Sequence, residues 1–396
     1  MTTPPVYLAV DAGTAAVKIA TDLDADDGVT VLAASGDWSR QAVGALARTG
    51  APAERVCLAV PEAWLDASVA GTAALEALRA ACAEELGITE VAVAGQLAAV
   101  AALTARERGP GRYLICDIGA AGVRTAALDV TGETVRIVAA HSFSDGGWRD
   151  FDQSVRALPL GGGGDPLPAD WFRQACEQQR RALVLFQRAL SVSGVRESPV
   201  YTIAGPGGKR SLLTGQLIEC FALTRERIQA GVAQVLGGRP PDVAVLAGGL
   251  GWLPLAATVL ADAAGVEPVT AEPAAAARGT LLFASGRVSQ PGPGELVSVA
   301  VPAHRVRNGQ LEEVTVPLRW NEPFTRPEEG PLFVVDSELT IDVGGRRLTV
   351  GFPGLRPGPC LVGLRSGWSG EGAVVVRPDT GSGSPVVASI GAVTVG

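Results

Sequence analysis

Apolar runs that end in turns of small residues recur along the first 285 residues of the chain. Three of them, beginning at Tyr7, Leu114 and Val243, lead directly into glycines and other small residues. Such runs predict buried strands, and several of the segments between them show helical spacing of apolar positions. The helices are predicted over 67–86, 96–106, 171–190, 212–235 and 252–264. Strands that alternate with helices indicate an α/β architecture with mostly parallel sheets.

The pattern changes after residue 285. Residues 286–295 are rich in proline and glycine, a composition typical of a linker. Beyond the linker, alternating or β-branched runs occur at 296–301, 332–343, 348–352, 373–376 and 386–395. Turn residues separate these runs, and no segment predicts a helix. We therefore expect an all-β, sandwich-like domain over 296–396.

Composition narrows the classes of function. The chain has 396 residues, which indicates two or three domains, and its apolar content of 47% argues against disorder. The net charge of −8 argues against nonspecific nucleic-acid binding. Two histidines and six cysteines without a C-x-x-C pair argue against a zinc site. Cys57 and Cys116 lie within apolar runs and are predicted to be small core residues.

One charge-free stretch has the length of a membrane span. It covers 243–261, but Gly248, Gly249, Gly251 and Pro254 interrupt it, which predicts a strand, a tight turn and a helix instead. The N-terminal region enters a strand without a basic, leader-like stretch. We therefore expect a cytoplasmic protein with no membrane span.

Two aspartates carry the candidate chemistry. Asp11 and Asp117 stand at the ends of the first two apolar runs, 106 residues apart, and a small-residue turn follows each. Such turns let backbone N–H groups approach a phosphate, and the carboxylates can hold a metal ion through water. The alternative is that both aspartates only cap helices. Together with the later glycine pair, the repetition predicts a nucleotide bound between two related domains.

Eight patches, taken in order, resemble the actin-like ATPase superfamily, most closely the nucleotide-binding domain of DnaK-type heat-shock chaperones. The resemblance covers residues 6–285, and its specificity lies in the order of the series. The patches are DAGTAAVK, VCLAVPEAW, AGQLAAVAA, DIGAAGVRTAAL, GGWRDFD, ACEQQRRAL, AVLAGGLGWLP and EPAAAARGTLLFASG.

The resemblance implies a nucleotide-binding domain over 1–285, made of two lobes at about 1–110 and 111–285, with Mg-ATP or Mg-ADP in the cleft. Each lobe would be a sheet flanked by helices. Asp11 and Asp117 would order the magnesium ion and its waters. The other implied contacts are Gly13, Thr14, Ala15, Gly119, Ala120, Ala121 and Gly122 to phosphate, Glu177 and Arg180 to ribose, and Arg181, Gly248 and Gly249 to the base. The alternative for Glu177, Arg180 and Arg181 is a solvated helical face. We interpret Trp148 and Trp252 as packing residues and not as ligand contacts.

Departures from the family pattern bear on catalysis. Gly122 stands where the family places a threonine, and Arg124 where it places an aspartate. Leu250 and Trp252 replace a serine and an arginine of the adenosine motif, and residues 22–55 are too few for the subdomain that carries a catalytic lysine. Since phosphoryl transfer depends on positioning and charge neutralisation, we expect weak or absent ATP hydrolysis. Arg124 could instead contact phosphate.

Three functions are compatible with these features. The leading one is a nucleotide-binding, chaperone-like or regulatory protein that contacts a protein partner through 296–396, although no helical lid follows that region. The second is a small-molecule kinase of the same superfamily, with Asp145 or Asp150 as the base. The third is a pseudo-ATPase scaffold that binds no nucleotide.

Overall fold

A computed structural model describes most of the chain. The described residues are 7–12, 16–24, 29–33, 44, 55–86, 91–158, 199–205, 208–291, 296–321, 334–378 and 385–393. Among them, no helix is both long and apolar enough to cross a membrane.

The first sheet has five strands in the order β3-β2-β1-β4-β5. The strands are β1 (Tyr7–Ala12), β2 (Ala16–Ala20), β3 (Val29–Ala33), β4 (Arg55–Val60) and β5 (Val91–Gly95). β1 pairs with β2 antiparallel and with β4 parallel, and β4 pairs with β5 parallel. Residues 8–10 of β1 and 56–60 of β4 are buried and apolar, as parallel strands covered on both faces usually are.

The second sheet repeats this topology. Its strands are β6 (Gly111–Ile118), β7 (Val123–Thr131), β8 (Thr134–Phe143), β11 (Val243–Ala247) and β12 (Pro268–Thr270), in the order β12-β11-β6-β7-β8. β6 pairs with β7 antiparallel and with β11 parallel, and β11 pairs with β12 parallel. Each sheet thus begins with a central strand and a hairpin on one side, and adds two parallel strands on the other.

Seven α-helices are described. They are α1 (Val69–Leu86), α2 (Gln96–Arg108), α3 (Trp148–Arg156), α4 (Thr214–Cys220), α5 (Ala222–Leu236), α6 (Pro254–Ala264) and α7 (Ala275–Ala284). The single helix expected over 212–235 is divided at Phe221, whose buried ring packs edge-on against Phe151. A hairpin of β9 (Pro199–Gly205) and β10 (Gly208–Leu213) precedes it, and β10 was not predicted. The helix expected over 171–190 lies outside the described residues.

The chain consists of two compact units. The first comprises Met1–Ala12, Val17–Gln96 and Thr280–Gly396, and the second comprises Gly13–Ala16 and Leu97–Gly279. The first sheet and the C-terminal β-rich region therefore belong to one unit. The second sheet, with helices α3 to α6, has a core of its own in the second unit.

The described part of the C-terminal region consists of strands. They are β13 (Val299–Arg307), β14 (Gln310–Leu318), β15 (Val334–Val335), β16 (Glu338–Val343), β17 (Arg346–Gly351), β18 (Gly358–Ser366), β19 (Glu371–Pro378) and β20 (Val386–Ala392). Two four-stranded sheets, β14-β13-β16-β17 and β15-β18-β19-β20, contribute to one buried cluster.

Strand β19 is buried on both faces. Val374 and Val376 face the cluster shared by the two C-terminal sheets, whereas Ala373 and Val375 pack with Ala67, just before α1. Because side chains alternate along a strand, one face completes the C-terminal core and the other attaches the region to the first sheet's helical layer. The backbone N–H of Trp368 also donates to the carbonyl of Leu65 at 3.2 Å.

Candidate functional site

Asp11 is buried within the first sheet and has a partner for each carboxylate oxygen. It lies on β1 directly opposite Lys18 on β2, and the Lys18 Nζ is 3.5 Å from Asp11 Oδ2. The amide Nε2 of Gln96, the first residue of α2, donates to Asp11 Oδ1 at 2.5 Å. Only 5% of Asp11 is exposed. A buried carboxylate needs such partners, because an unpaired charge is costly in an apolar interior.

Asp117 has the same position in the second sheet and a stronger partner. It lies on β6 directly opposite Arg124 on β7, and 8% of it is exposed. The Arg124 Nε donates to Asp117 Oδ2 at 3.0 Å, and the Nη2 of the same guanidinium donates to the same oxygen. Hydrogen bonds between two charged groups are the strongest that side chains form. The carboxylate is therefore neutralised by a residue of its own sheet.

The two pairs are copies of one arrangement. In each sheet an aspartate near the end of the central strand faces a basic residue seven positions later, across the hairpin. The pairs Asp11–Lys18 and Asp117–Arg124 are separated by the same 106 residues. The spacing is present in the sequence, which predicts no role for Lys18 and allows Arg124 as a phosphate contact. In the structure the guanidinium of Arg124 donates hydrogen bonds to Asp117.

The turn 119–122 is held by α3. Its first two carbonyls, those of Gly119 and Ala120, accept from the backbone N–H groups of Trp148 and Arg149 at 2.9 and 3.0 Å. The N–H of Gly119 donates to the carbonyl of Gly122 at 3.0 Å, which closes the turn. A Cβ on Gly122 would lie 1.9 Å from the Phe143 carbonyl oxygen, so only glycine fits. The first backbone donors of α3 are thus used inside the protein.

The glycine pair Gly248–Gly249 lies beside Asp117 in the same unit. β11 is parallel to β6, and Ala247 is in register with Asp117. Gly248 has φ +80°, and a Cβ there would lie 2.5 Å from Asp117 Oδ1 and 2.4 Å from the Ile118 carbonyl oxygen. Glycine is required on both grounds. Gly249 opens a 3-10 turn over Gly249–Trp252, and Trp252 is 48% exposed.

The two carboxylates considered for a kinase are engaged structurally. Asp145 forms a two-point ion pair with Arg227, with N–O distances of 2.7 and 2.8 Å. The hydrogen bonds from Arg227 lower the pKa of Asp145, which makes it a weaker base. Asp150 accepts from the backbone N–H of Gly146 at 2.7 Å.

Six of the expected nucleotide contacts lie outside the described residues. They are Gly13, Thr14, Ala15, Glu177, Arg180 and Arg181. Those positions stay predictions from the resemblance. Among the described ones, Gly119, Ala120, Ala121, Gly122, Gly248 and Gly249 lie near Asp117 within the second unit.

The described carboxylates do not fit a magnesium site as they are paired. Mg²⁺ binds through one or two free carboxylates together with substrate phosphates. Here Oδ2 of Asp117 holds two guanidinium N–H groups, and both oxygens of Asp11 have partners. Within the described ranges, no group of three or more His, Cys, Asp or Glu side chains could hold a metal ion.

The two five-stranded sheets have the same strand order, and each has a buried aspartate on its central strand opposite a basic residue of the neighbouring strand.

No protein-family model and no curated protein matches the sequence. Among solved structures, the chain is similar to MreB5 of Spiroplasma citri bound to ADP, with a TM-score of 0.49 and 14% sequence identity. The similarity covers 71% of this chain and 97% of that one.

Proposed function

We propose that this protein is an adenine-nucleotide-binding regulatory protein that holds ATP or ADP and hydrolyses ATP weakly or not at all. The observation that carries the proposal is the buried pair of Asp117 and Arg124 beside Gly248. It places the Arg124 guanidinium, which Asp117 holds in position, beside the glycine turns at Gly119 and Gly248. The same pair removes a free carboxylate from the position where hydrolysis would need one.

The charge arrangement supports binding over turnover. Phosphoryl transfer is accelerated by groups that neutralise charge and orient the attacking water. Asp117 is bound to Arg124, and Gly122 brings no hydroxyl to the turn. Arg124 and Lys18 are basic groups that the fold itself supplies, one in each sheet, and each is paired with an aspartate. A polyphosphate would have to compete with Asp117 and Asp11 for these groups, and no described group takes the place of the lost threonine.

The finer relationship to DnaK-type chaperones is part of the proposal, as is a protein partner on residues 296–396. Support comes from the ordered patches and from the presence of a large β-rich region. That region belongs to the same compact unit as the first sheet. A partner bound to this region would therefore be attached to the first sheet. The partner would change the affinity for nucleotide if partner and nucleotide each bind one conformation of the protein more tightly than another.

Calorimetric titration with ATP and ADP, each with Mg²⁺ and with EDTA, tests the proposal. Phosphate release is followed in the same samples. We expect both nucleotides to bind with and without Mg²⁺, and no sustained phosphate release. Absence of binding under all conditions would refute nucleotide binding and favour the scaffold. Steady ATP turnover would refute the loss of hydrolysis.

Two variants locate the effect. Arg124→Met frees Asp117 and should make nucleotide binding depend on Mg²⁺. Arg136→Met is the matched control, because Arg136 pairs with Asp129 on the exposed part of the same hairpin and should leave binding unchanged. Equal effects of the two substitutions would show that the Asp117–Arg124 pair is not part of the site.

A further inference from the structure

The loop that connects β8 to α3 lies against the turn 119–122 in the second unit. This loop covers 144–147 and leads directly into α3. A Cβ on Gly147 would lie 2.4 Å from the backbone nitrogen of Gly122 and 2.7 Å from the carbonyl oxygen of Gly119. Loop and turn are therefore packed backbone against backbone. A displacement of the loop would displace the turn as well.

The hydrogen bonds to α3 decide which way the peptide groups of the turn face. The carbonyls of Gly119 and Ala120 accept from the first two N–H groups of α3 at 2.9 and 3.0 Å. In a trans peptide the N–H points away from the carbonyl of the same peptide unit. The N–H groups of Ala120 and Ala121 are therefore directed away from α3, and neither has a partner within the described part of the chain. Two successive N–H groups that face one side can bind an anion.

Arg227 on α5 fixes the loop from the other side. Its guanidinium forms two hydrogen bonds with the carboxylate of Asp145, at 2.7 and 2.8 Å, and such two-point pairs set the orientation of both groups. The guanidinium carbon also lies 5.1 Å from the centroid of the Phe143 ring, at the end of β8. A Cβ on Gly146 would lie 2.8 Å from Cγ of the arginine. One side chain therefore contacts the loop at three positions.

The ion pair is partly exposed, so its effect is local. The side chains of Arg227 and Asp145 are 25% and 43% exposed. Arg227 also pairs with the exposed carboxylate of Glu226 at 3.0 Å. Ion pairs with this exposure contribute little to the free energy of unfolding of a whole protein. Loss of the Arg227–Asp145 pair should therefore loosen the loop and leave the sheet folded.

We propose that Arg227 is a positioning residue for the phosphate groups of the nucleotide. It holds the loop 144–147 against the turn, and so keeps the N–H groups of Ala120 and Ala121 directed at the ligand. Arg227 itself acts through the loop and does not touch phosphate. The inference rests on the proposed nucleotide binding and extends it to a helix to which the sequence assigns no role at the site.

Hydrogen exchange of the full-length protein without nucleotide tests whether Arg227 holds the turn. Arg227→Met should accelerate exchange of the Trp148 and Arg149 amides, which bond to the turn, about fivefold, and should leave exchange in β6 unchanged. Arg225→Met is the matched control, because Arg225 is an exposed arginine of the same helix. Asp145→Asn should act like Arg227→Met and serves where that variant does not fold. Unchanged exchange of these two amides in both variants would overturn the proposal.

Calorimetric titration with ATP and with inorganic tripolyphosphate, both with Mg²⁺, tests the role in binding. Arg227→Met should weaken both ligands about fivefold and by the same factor, since the turn contacts groups that both carry. Arg225→Met should weaken neither. An unchanged affinity in Arg227→Met, or a loss for ATP alone, would overturn the role of Arg227 only. Absence of binding to the unsubstituted protein would refute the proposed function together with this role.

Discussion

The substitution Glu76→Met should weaken the attachment of the C-terminal strands to the first sheet's helical layer. Glu76 on α1 is the shared partner of Arg79 and Arg365, and Arg365 on β18 lies 289 residues away in sequence. Methionine keeps the length of the side chain and removes its charge. The variant therefore removes the carboxylate that Arg79 and Arg365 share, while Arg365 stays buried.

The expected magnitude follows from burial. Removing one partner of a buried ion pair typically costs about 3–5 kcal/mol, because the other charge is left uncompensated. Arg365→Met alone should cost less, about 1–3 kcal/mol, since Glu76 keeps its bond to Arg79. The double variant Glu76→Met/Arg365→Met should be more stable than Glu76→Met. It replaces the buried pair by apolar side chains and leaves only the partly exposed Arg79.

The assay is native-state hydrogen exchange of the amides of β18 and β19, combined with urea unfolding. A chain of two units need not unfold in one step, so exchange in named strands is the more direct measure of attachment. Arg156→Met is the control, because a helical i,i+4 pair contributes only about 0.5 kcal/mol or less. Exchange in β18 that is unchanged by Glu76→Met, or a double variant less stable than Glu76→Met, would refute the reasoning.

Three further predictions concern single sites. Gly248→Ala should destabilise the second unit by about 2–4 kcal/mol, since φ +80° and contact with the Ile118 carbonyl oxygen both disfavour a Cβ. The control Gly237→Ala, where a Cβ meets open space, should cost only about 1–2 kcal/mol of the free energy of unfolding, measured in urea. Equal losses in the two variants would contradict this prediction. Burial opposes ionisation of Glu76, but Arg365 and Arg79 together lower its pKa below the usual value of 4.5. The ionised carboxylate therefore stabilises the fold fully above pH 4.5, and this contribution is lost as the pH falls through the folded pKa. The difference in stability between the protein and Glu76→Gln should shrink below the folded pKa, and a difference that stays constant with pH would contradict the pairing. Burial raises the pKa of Cys57 to about 12 and also raises that of Cys116. At about pH 8 a thiol reagent should therefore label neither cysteine until urea is added. Rapid labelling of the folded protein would show that these strands open.

The local pattern of apolar and small residues predicts much of the fold. The strand ends at Asp11, Asp117 and Ala247 were located by apolar runs that stop at small residues, because burial requires such runs and tight turns require glycine. The division of the predicted helix at Phe221 could not be predicted in this way, because it depends on the contact of the Phe221 ring with Phe151. The seven-residue spacing of Lys18 and Arg124 from their aspartates was present but was not interpreted as a pairing.

By itself, the sequence determined the local elements and the repetition of an aspartate and a basic residue across two hairpins. A hairpin of fixed length places residues i and i+7 opposite one another, so this register is encoded locally. Only the tertiary structure decided that Arg124 neutralises Asp117 and that Glu76 on α1 pairs with Arg365 on β18. Contacts between residues as distant as Glu76 and Arg365 depend on how whole layers pack. The periodicity of the sequence does not show which buried charged residues share a partner.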